Sequence, residues 1–458
     1  MPFAGQHILI VGLGKTGVAL TRFLAAQGAR LTVTDPQSAA DLAPARAQIT
    51  DLEVRLELGV AEPTSPGAYD VIVPSPGVPP ELPWLARAAA AGVPVVGELE
   101  IATRFLEKPV IAITGTNGKT TTTTLVGELL AASGRRVLVG GNIGTPLISL
   151  LASQGEADCL VLEVSSFQLD TAPSFHPRAA ALLNISADHL DRYPDFAAYV
   201  RSKAAIFRHQ GPEDLAVLNA DDPQVAALAP GLRSRVHLFS TQQAFVAGAW
   251  RNGSAVMVRL SGRQATRIPM AGIRLPGGHN QENIMAALLL ALDLGADPET
   301  CIKVLGEFSG LPHRVEWVAS HGGVDFYDDS KGTNVGAVVR SLEYFDRPVV
   351  LIAGGRDKGG DYSPLAPLVR RGVKALILVG EAREKIRREL GRLTATREAA
   401  DLEEATSLAW EAARSGDVVL LSPACSSFDM FTDYAARGRA FQTAVRRLIH
   451  GQQQRPRD

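Results

Sequence analysis

The sequence is short of cysteine, of long apolar runs and of charge of one sign, and each shortage excludes something. Cys159, Cys301 and Cys425 are the only three cysteines in 458 residues, far apart and without a C-x-x-C pair. A disulfide framework or a cysteine zinc site is therefore not expected, and a reducing compartment is. No uninterrupted apolar stretch of about eighteen residues occurs, and the opening MPFAGQHILIVGLG lacks a basic start followed by a long apolar run. Membrane insertion is not expected; a cytoplasmic protein is, with a monomer as its expected state. The 46 Lys and Arg against 48 Asp and Glu leave a net charge of −2, so nothing draws the whole chain to nucleic acid or anionic lipid. Any charge-driven binding must be local.

What is present is an alternation. Short β-branched runs ending in Gly, Asp or Asn (HILIVGLGKTG, LTVTD, DVIVPSPGV, PVIAITGTNGK, CLVLEVSS, AAALLNIS, PVVLIAGG, ALILVG, DVVLLSPAC) are separated by alanine- and leucine-rich helical stretches. This pattern predicts an α/β fold with largely parallel strands buried on both faces. In such sheets ligands gather beyond the carboxyl ends of the strands. The length predicts two to four domains, and three blocks separate: 1–98, 99–310 and 311–458, each with its own βα alternation. The first and third are expected to be Rossmann-like and the central one a phosphate-loop ATPase domain.

The stretch ITGTNGKTTTTTL places Gly115, Thr116, Asn117, Gly118, Lys119, Thr120 and Thr121 between a strand and a helix. Backbone N–H groups at a glycine-rich turn and helix start make an anion site. Lys119 would reach the outer phosphates of a nucleotide and the Thr120 hydroxyl would face Mg²⁺. The spacing is shorter than G-x-x-x-x-G-K-[ST], since Ile113 stands where the first glycine would be. Glycines in a βα turn also serve backbone geometry alone. Glu163, at the end of CLVLE, is a carboxylate that could hold Mg²⁺ directly or through water. His189 in a loop and Lys203 on a helix carry, by spacing alone, the ordinary readings of a packing histidine and a solvated lysine.

The first block offers G-x-G-x-x-G at Gly12, Gly14 and Gly17, with Asp35 after the next strand. That is a dinucleotide fingerprint, so a nicotinamide oxidoreductase remains open at this point. A non-catalytic nucleotide-binding subunit is a second alternative.

Taken together, TGTNGKTTT, LEVSSFQL, NISADHLDRY, the lysine before AAIF, GGHNQEN and GLPHRVE resemble the Mur ligase superfamily, ATP-dependent amide-forming enzymes of peptidoglycan synthesis. The resemblance covers essentially the whole chain. VGLGKTG and SPGV in the first block, with DDSKGTN, AGGRDKG and LLSPACSSFDMFTDYAARG in the third, resemble the branch that adds D-glutamate to UDP-N-acetylmuramoyl-L-alanine. A D-N-P-R motif, usual in the branch that adds a diamino acid, is absent from the sequence.

The resemblance implies a set of roles. Lys119 and Thr120 hold the triphosphate and a first Mg²⁺, with Glu163 completing that metal site. His189 helps hold a second Mg²⁺, and Lys203 matches a lysine that is carbamylated by CO₂ in the family. Asn280 and Asn283 lie beside adenine, Asp329 takes the ribose hydroxyls, and Arg314 contacts phosphate. Gly14, Lys15, Thr16, Gly17, Asp35, Ser75, Pro76, Gly77 and Asn142 hold the UDP-sugar substrate. Lys331 is a catalytic cation, Thr333 and Lys358 match positions for the α-carboxylate of D-glutamate, and Ser427, Phe428 and Tyr434 surround its side-chain carboxylate. Ser427 is expected at a strand-to-helix turn that cradles an anion. Tyr434 stands where phenylalanine is frequent in the family and Gly332 where alanine is. Lys331 and Thr333 would reach the central block only if the domains close, which makes closure an expected part of the cycle.

Overall fold

A computed structural model describes residues 2–79, 82–188, 192–273, 275, 278–357 and 359–453. Within it the chain forms two compact units, one of residues 1–185, 197–271 and 282–304, the other of residues 186–196, 272–281 and 305–458.

The first unit carries two sheets. One contains β1 (His7–Val11), β2 (Arg30–Asp35), β3 (Val54–Leu58) and β4 (Val71–Pro74) in the order β3-β2-β1-β4, all parallel. The other contains β5 (Val110–Thr114), β6 (Val137–Gly141), β7 (Cys159–Glu163), β8 (Ala179–Leu182), β9 (Leu215–Asn219), β10 (Arg235–Ser240), β11 (Gly248–Asn252), β12 (Ala255–Arg259) and β13 (Thr266–Pro269). Its order is β13-β12-β11-β10-β9-β8-β5-β7-β6. Pairing is parallel from β6 across to β11, and β11–β12–β13 extend the edge as an antiparallel meander. β5 is central, between β8 and β7, and every residue of VIAIT is buried, as a strand covered on both faces must be.

Two helices show packing overriding local preference. The helix Lys119–Ala132 opens with five threonines in a row, β-branched residues that are middling helix formers. Thr120, Thr121, Thr122 and Thr123 are nevertheless buried, and their burial beside the sheet compensates. In the helix Gly278–Asp293 every residue from Asn283 to Leu292 is buried, the mark of a helix enclosed on all sides. A shorter helix, Glu98–Thr103, links the two sheets of the unit and buries both its glutamates.

The second unit holds β14 (Glu316–His321), β15 (Val324–Asp328), β16 (Val349–Gly354), β17 (Val373–Val379), β18 (Ala395–Glu398) and β19 (Val418–Leu421) in the order β14-β15-β19-β16-β17-β18. Only β14 runs antiparallel. One apolar cluster, including Leu351, Leu376 and Leu420, covers one face of this sheet, and another, with Phe326, Ile352 and Phe441, covers the opposite face. The α/β architecture read from the sequence is thus observed, with parallel pairing dominant and the antiparallel strands confined to edges. No helix among the described residues is long and apolar enough to cross a membrane.

Candidate active site

The expected phosphate loop follows β5. Gly115 and Gly118 have φ of +152° and +86°, and a Cβ on Gly118 would sit 2.3 Å from Asn283 Oδ1. Only glycine meets both demands at Gly118. Asn184, just past β8, braces the loop: its backbone oxygen accepts from Thr116 N (2.9 Å), its Oδ1 from Asn117 N (2.8 Å), and its Nδ2 donates to Asn117 O (3.0 Å). Lys119 folds back so that Nζ donates to Gly115 O (2.9 Å) and Thr116 O (3.0 Å). Lys203 Nζ, from the helix Phe196–Ala204, donates to the same Gly115 O at 2.9 Å. Lys203 is only 2% exposed and lies 4.8 Å from the centroid of the Tyr199 ring. The Tyr199 hydroxyl is in turn 3.2 Å from Thr116 Oγ1.

Glu163 ends β7 and is 2% exposed. Its Oε2 accepts from Thr120 Oγ1 (2.8 Å) and its Oε1 from Asn142 Nδ2 (3.0 Å). Both partners are uncharged, whereas a buried carboxylate is ordinarily paired or bound to a metal. A hard-oxygen set of Thr120 hydroxyl and Glu163 carboxylate beside a phosphate cradle therefore fits Mg²⁺. Sequence-nominated Lys119, Thr120, Glu163 and Lys203 thus meet at the carboxyl ends of β5 and β7. Thr121 is buried in the same helix turn, and Thr122 Oγ1 lies 3.4 Å from Asn283 Oδ1. His189 lies outside the described residues, as does Lys358.

At the carboxyl ends of β1, β2 and β4 the glycine-rich turn, Asp35 and Ser75 also come together. A Cβ on Gly17 would lie 1.9 Å from Gly12 O, so the helix Lys15–Ala26 approaches the turn as closely as backbone allows. Asp35 Oδ2 accepts from Leu13 N (2.8 Å) and Oδ1 from Gln37 N (2.9 Å), so Asp35 holds the loop in shape. Ser75 Oγ donates to Gly12 O at 3.3 Å. Gly14 is the N-cap of that helix, Thr16, Ser75 and Pro76 are half-buried, and Gly77 is exposed. Lys15 Nζ donates to Gly144 O, two residues beyond Asn142. A continuous path therefore runs from the first sheet's loop, through the segment Asn142–Gly144, to Glu163 and Thr120.

In the second unit Asp329 follows β15. Its Oδ2 accepts from Ser341 Oγ and Ser422 Oγ, both at 2.6 Å, and Oδ1 from Val315 N at 3.3 Å. Burial pushes its carboxyl up to about 6, against the pull of the two hydroxyls and of the Arg314 charge. Arg314 is half-buried. Together with Arg340 it adds to burial in pressing His279 down to about 4, so the imidazole is neutral and the neighbourhood positive. Asn280 follows His279 on the same helix turn. Lys331 Nζ lies 4.9 Å from the Tyr434 ring centroid, and Thr333 N bonds Lys331 O at 2.9 Å.

Ser427 lies in the connection between β19 and the helix Tyr434–Gln453, as expected, several residues short of the helix start. Its backbone oxygen accepts from Met430 N and Phe431 N, which closes a turn within that connection. The prolyl and small residues of SPACSS carry the chain away from β19 before a helix can form. Ser427 is buried while Phe428 is 63% exposed. Arg437 was passed over by the sequence reading. Its guanidinium donates to Ser426 O (3.1 Å), Ser330 O (2.8 Å) and Cys425 O (3.0 Å), tying this loop to the segment after β15. Burial lowers it to about 10. Asn184 and Tyr199 were missed likewise; an asparagine ending the strand-like run AAALLN was the one available signal.

Family models match in chain order: "Mur ligase MurD-like, N-terminal domain" over residues 6–97, "Mur ligase middle domain" over 113–291 and "Mur ligase, glutamate ligase domain" over 313–425. The chain is 50% identical over 451 residues to a protein of Geotalea daltonii named UDP-N-acetylmuramoylalanine--D-glutamate ligase, covering 98% of this chain and 99% of that protein. A protein of the same name from Geobacter metallireducens is 49% identical over 452 residues, covering 99% and 100%. Among solved structures, a pseudomurein peptide ligase type C of Methanothermus fervidus aligns with a TM-score of 0.62 at 19% identity, over 97% of this chain and all of that one. UDP-N-acetylmuramate-alanine ligase of Thermotoga maritima aligns at 0.60 and 20% over the same shares. The solved structures share the fold, and the identity over nearly the full length goes further: this chain belongs to the Mur ligase family.

Proposed function

We propose that this chain joins D-glutamate to UDP-N-acetylmuramoyl-L-alanine at the expense of ATP, through an acyl phosphate, releasing ADP and phosphate in the cytoplasm. The observation that carries the reading is the convergence of Lys119, Thr120, Glu163 and Lys203 on one strand-end cradle, in a chain half identical to ligases of that name. A carboxylate is a poor acyl donor, because its charge repels an amine and its oxygen leaves badly. Phosphorylation of the alanyl carboxylate removes both obstacles. One carboxylate oxygen attacks the γ-phosphorus, ADP leaves, the amine of D-glutamate adds to the acyl carbon, and phosphate departs after the amine loses a proton.

The chain's own part is positioning and charge neutralisation. Lys119 Nζ exchanges its carbonyl partners for phosphate oxygens, and the N–H groups of Lys119, Thr120 and Thr121 at the helix start line the anion, while Asn184 holds the N–H groups of Thr116 and Asn117 and so fixes the shape of the loop from Gly115 to Gly118. Thr120 and Glu163 would hold one Mg²⁺, and His189 with carbamylated Lys203 a second; such ions would supply neutralisation of the charge that phosphoryl transfer develops. Carbamylation requires the neutral amine, which the burial of Lys203 favours. Gly14, Lys15, Thr16, Gly17, Asp35, Ser75, Pro76 and Gly77, in the first of three domains (1–98), bind the UDP-sugar substrate together with Asn142 of the second. Asn280, Asn283, Asp329 and Arg314 bind the nucleoside and phosphates of ATP. Thr333, Lys358, Ser427, Phe428 and Tyr434, in the third domain (311–458), receive D-glutamate, with Lys331 of the same domain as a catalytic cation; the second domain spans 99–310.

The test is Mg²⁺-dependent phosphate release from ATP with UDP-N-acetylmuramoyl-L-alanine and, in parallel, D-glutamate, L-glutamate, meso-diaminopimelate or L-lysine, with product mass determined. Release with D-glutamate alone is expected. Release only with another amino acid would overturn the amino-acid assignment.

A further inference from the structure

Asp329 is 4% exposed, and its two oxygens have unequal surroundings. Oδ2 accepts two short hydroxyl bonds, from Ser341 on the helix Val335–Glu343 and from Ser422 directly after β19. Charge-assisted bonds of this length are the strong ones, and together they fill the acceptor capacity of Oδ2. Among the described residues Oδ1 has a single long bond, 3.3 Å from Val315 N, which leaves a lone pair to offer. The crowding around Oδ2 is built in: a Cβ on Gly332 would lie 2.6 Å from Oδ2 and 2.8 Å from Ser422 Oγ. Glycine at 332 leaves the room in which the two serines grip the carboxylate. Arg314 and Arg437 act on Asp329 through their charges, but a charge alone does not choose between two oxygens. The serines do.

We infer that Ser341 and Ser422 are positioning residues for nucleotide recognition: by fixing Oδ2 of Asp329 they present Oδ1 to the vicinal hydroxyls of a ribose. The inference rests on the proposed reading of Asp329 as a ribose ligand. A carboxylate held by two hydroxyls from separate elements keeps one rotamer, so the hydroxyl pair of the nucleotide meets a preorganised acceptor. Without either serine the carboxylate retains its place near the ribose but samples more orientations.

The experiment compares ATP with 2′,3′-dideoxy-ATP, binding measured by calorimetry on the full chain for the unaltered protein, Ser341→Ala, Ser422→Ala and Ser341→Thr. Thermal unfolding is recorded for each variant. The unaltered protein should prefer ATP by about tenfold or more, the size of hydrogen bonds to a charged group. In Ser341→Ala and Ser422→Ala the preference should shrink several-fold through weaker ATP binding, with dideoxy-ATP affinity little changed; Ser341→Thr, which keeps the hydroxyl, should recover it. Folded alanine variants that keep the full preference would overturn the positioning role. If one alanine variant does not fold, the other serine's variant and Ser341→Thr decide. An unaltered protein that makes product with D-glutamate yet binds both nucleotides equally would overturn the ribose assignment itself, and the inference with it. Absence of any ATP-dependent product would instead strike at the proposed function.

Discussion

Gly438 sits inside the helix Tyr434–Gln453, where alanine would ordinarily be favoured by about 1 kcal/mol. Its neighbours reverse that preference. A Cβ there would meet His313 Nδ1 at 2.2 Å, Ser330 Oγ at 2.5 Å and Asp328 Oδ2 at 2.6 Å, and these atoms are not free to retreat. His313 Nδ1 and Asp328 Oδ2 are bonded at 2.7 Å, Gln442 Nε2 reaches Asp328 Oδ2 at 3.0 Å, and Asp328 is wholly buried. Moving His313 or Asp328 breaks a buried polar network. Gly438→Ala is therefore expected to destabilise the protein by about 2–4 kcal/mol, overpacking and a broken buried bond together outweighing the helix gain. Thermal or urea unfolding measures it; an unchanged or raised midpoint would mean the helix does not approach so closely. The same scale separates what the sequence discloses about the site from what it hides. Gly118 and Lys119 are legible because a phosphate loop is local, its chemistry packed into a few consecutive residues. Asn184 and Arg437 are not, since each acts on a segment brought to it only by the sheet.

Elements carry the same lesson. Parallel strands such as β5 and β19 announce themselves as unbroken apolar runs, because burial on both faces leaves no room for alternation. The edge meander β11–β13, with exposed polar residues such as Arg251 and Asn252 interleaved, carries a weaker signal and escapes. Least legible is the helix Glu98–Thr103, whose acidic start looks like a solvated helix beginning yet lies within the unit. Glu100 is answered there by Ser174 N and Oγ at 2.9 and 2.7 Å. Glu98 is 2% exposed and accepts Ile148 N at 2.6 Å, and burial pushes its carboxyl up from 4.5 to about 7 despite that bond. The sign follows from proton linkage. The folded state holds a proton that the unfolded chain has lost between pH 4.5 and 7, so stability at this residue falls as pH rises through that window and levels off above it. Glu98→Gln keeps the shape and the acceptor without the charge. Its midpoint should match the unaltered protein near pH 4.5 and exceed it by a growing margin up to about pH 8, with an upper bound of roughly 3 kcal/mol. A margin independent of pH would show that Glu98 is not buried in this way.

At the scale of the whole molecule, the first unit carries two glycine-rich turns on two sheets, one after β1 and one after β5, and a path of side chains runs between them. Lys15 reaches Gly144, and Asn142 reaches the Glu163 that also holds Thr120. One core cluster, around Leu9, Ile72 and Trp84, belongs to the first sheet, while Phe3 and Phe23 pack on Phe105 between the two. Damage to one turn should leave the other folded and able to bind. Lys119→Ala removes the cation expected to neutralise phosphate charge and lies outside the first sheet altogether. It should reduce ATP turnover by a factor on the order of a thousand, comparable to losing a strong electrostatic stabiliser, while changing the affinity for UDP-N-acetylmuramoyl-L-alanine by no more than about twofold. Lys15→Ala should do the reverse to binding, weakening the UDP substrate by about tenfold, as loss of a charge-assisted contact does, with ATP affinity measured alone nearly unchanged. Calorimetric titration of each ligand against each variant separates the two effects. Were Lys119→Ala to lose both ligands while keeping its unfolding midpoint, the two turns would form a single binding site, and the assignment of one to the UDP substrate and the other to ATP would fall.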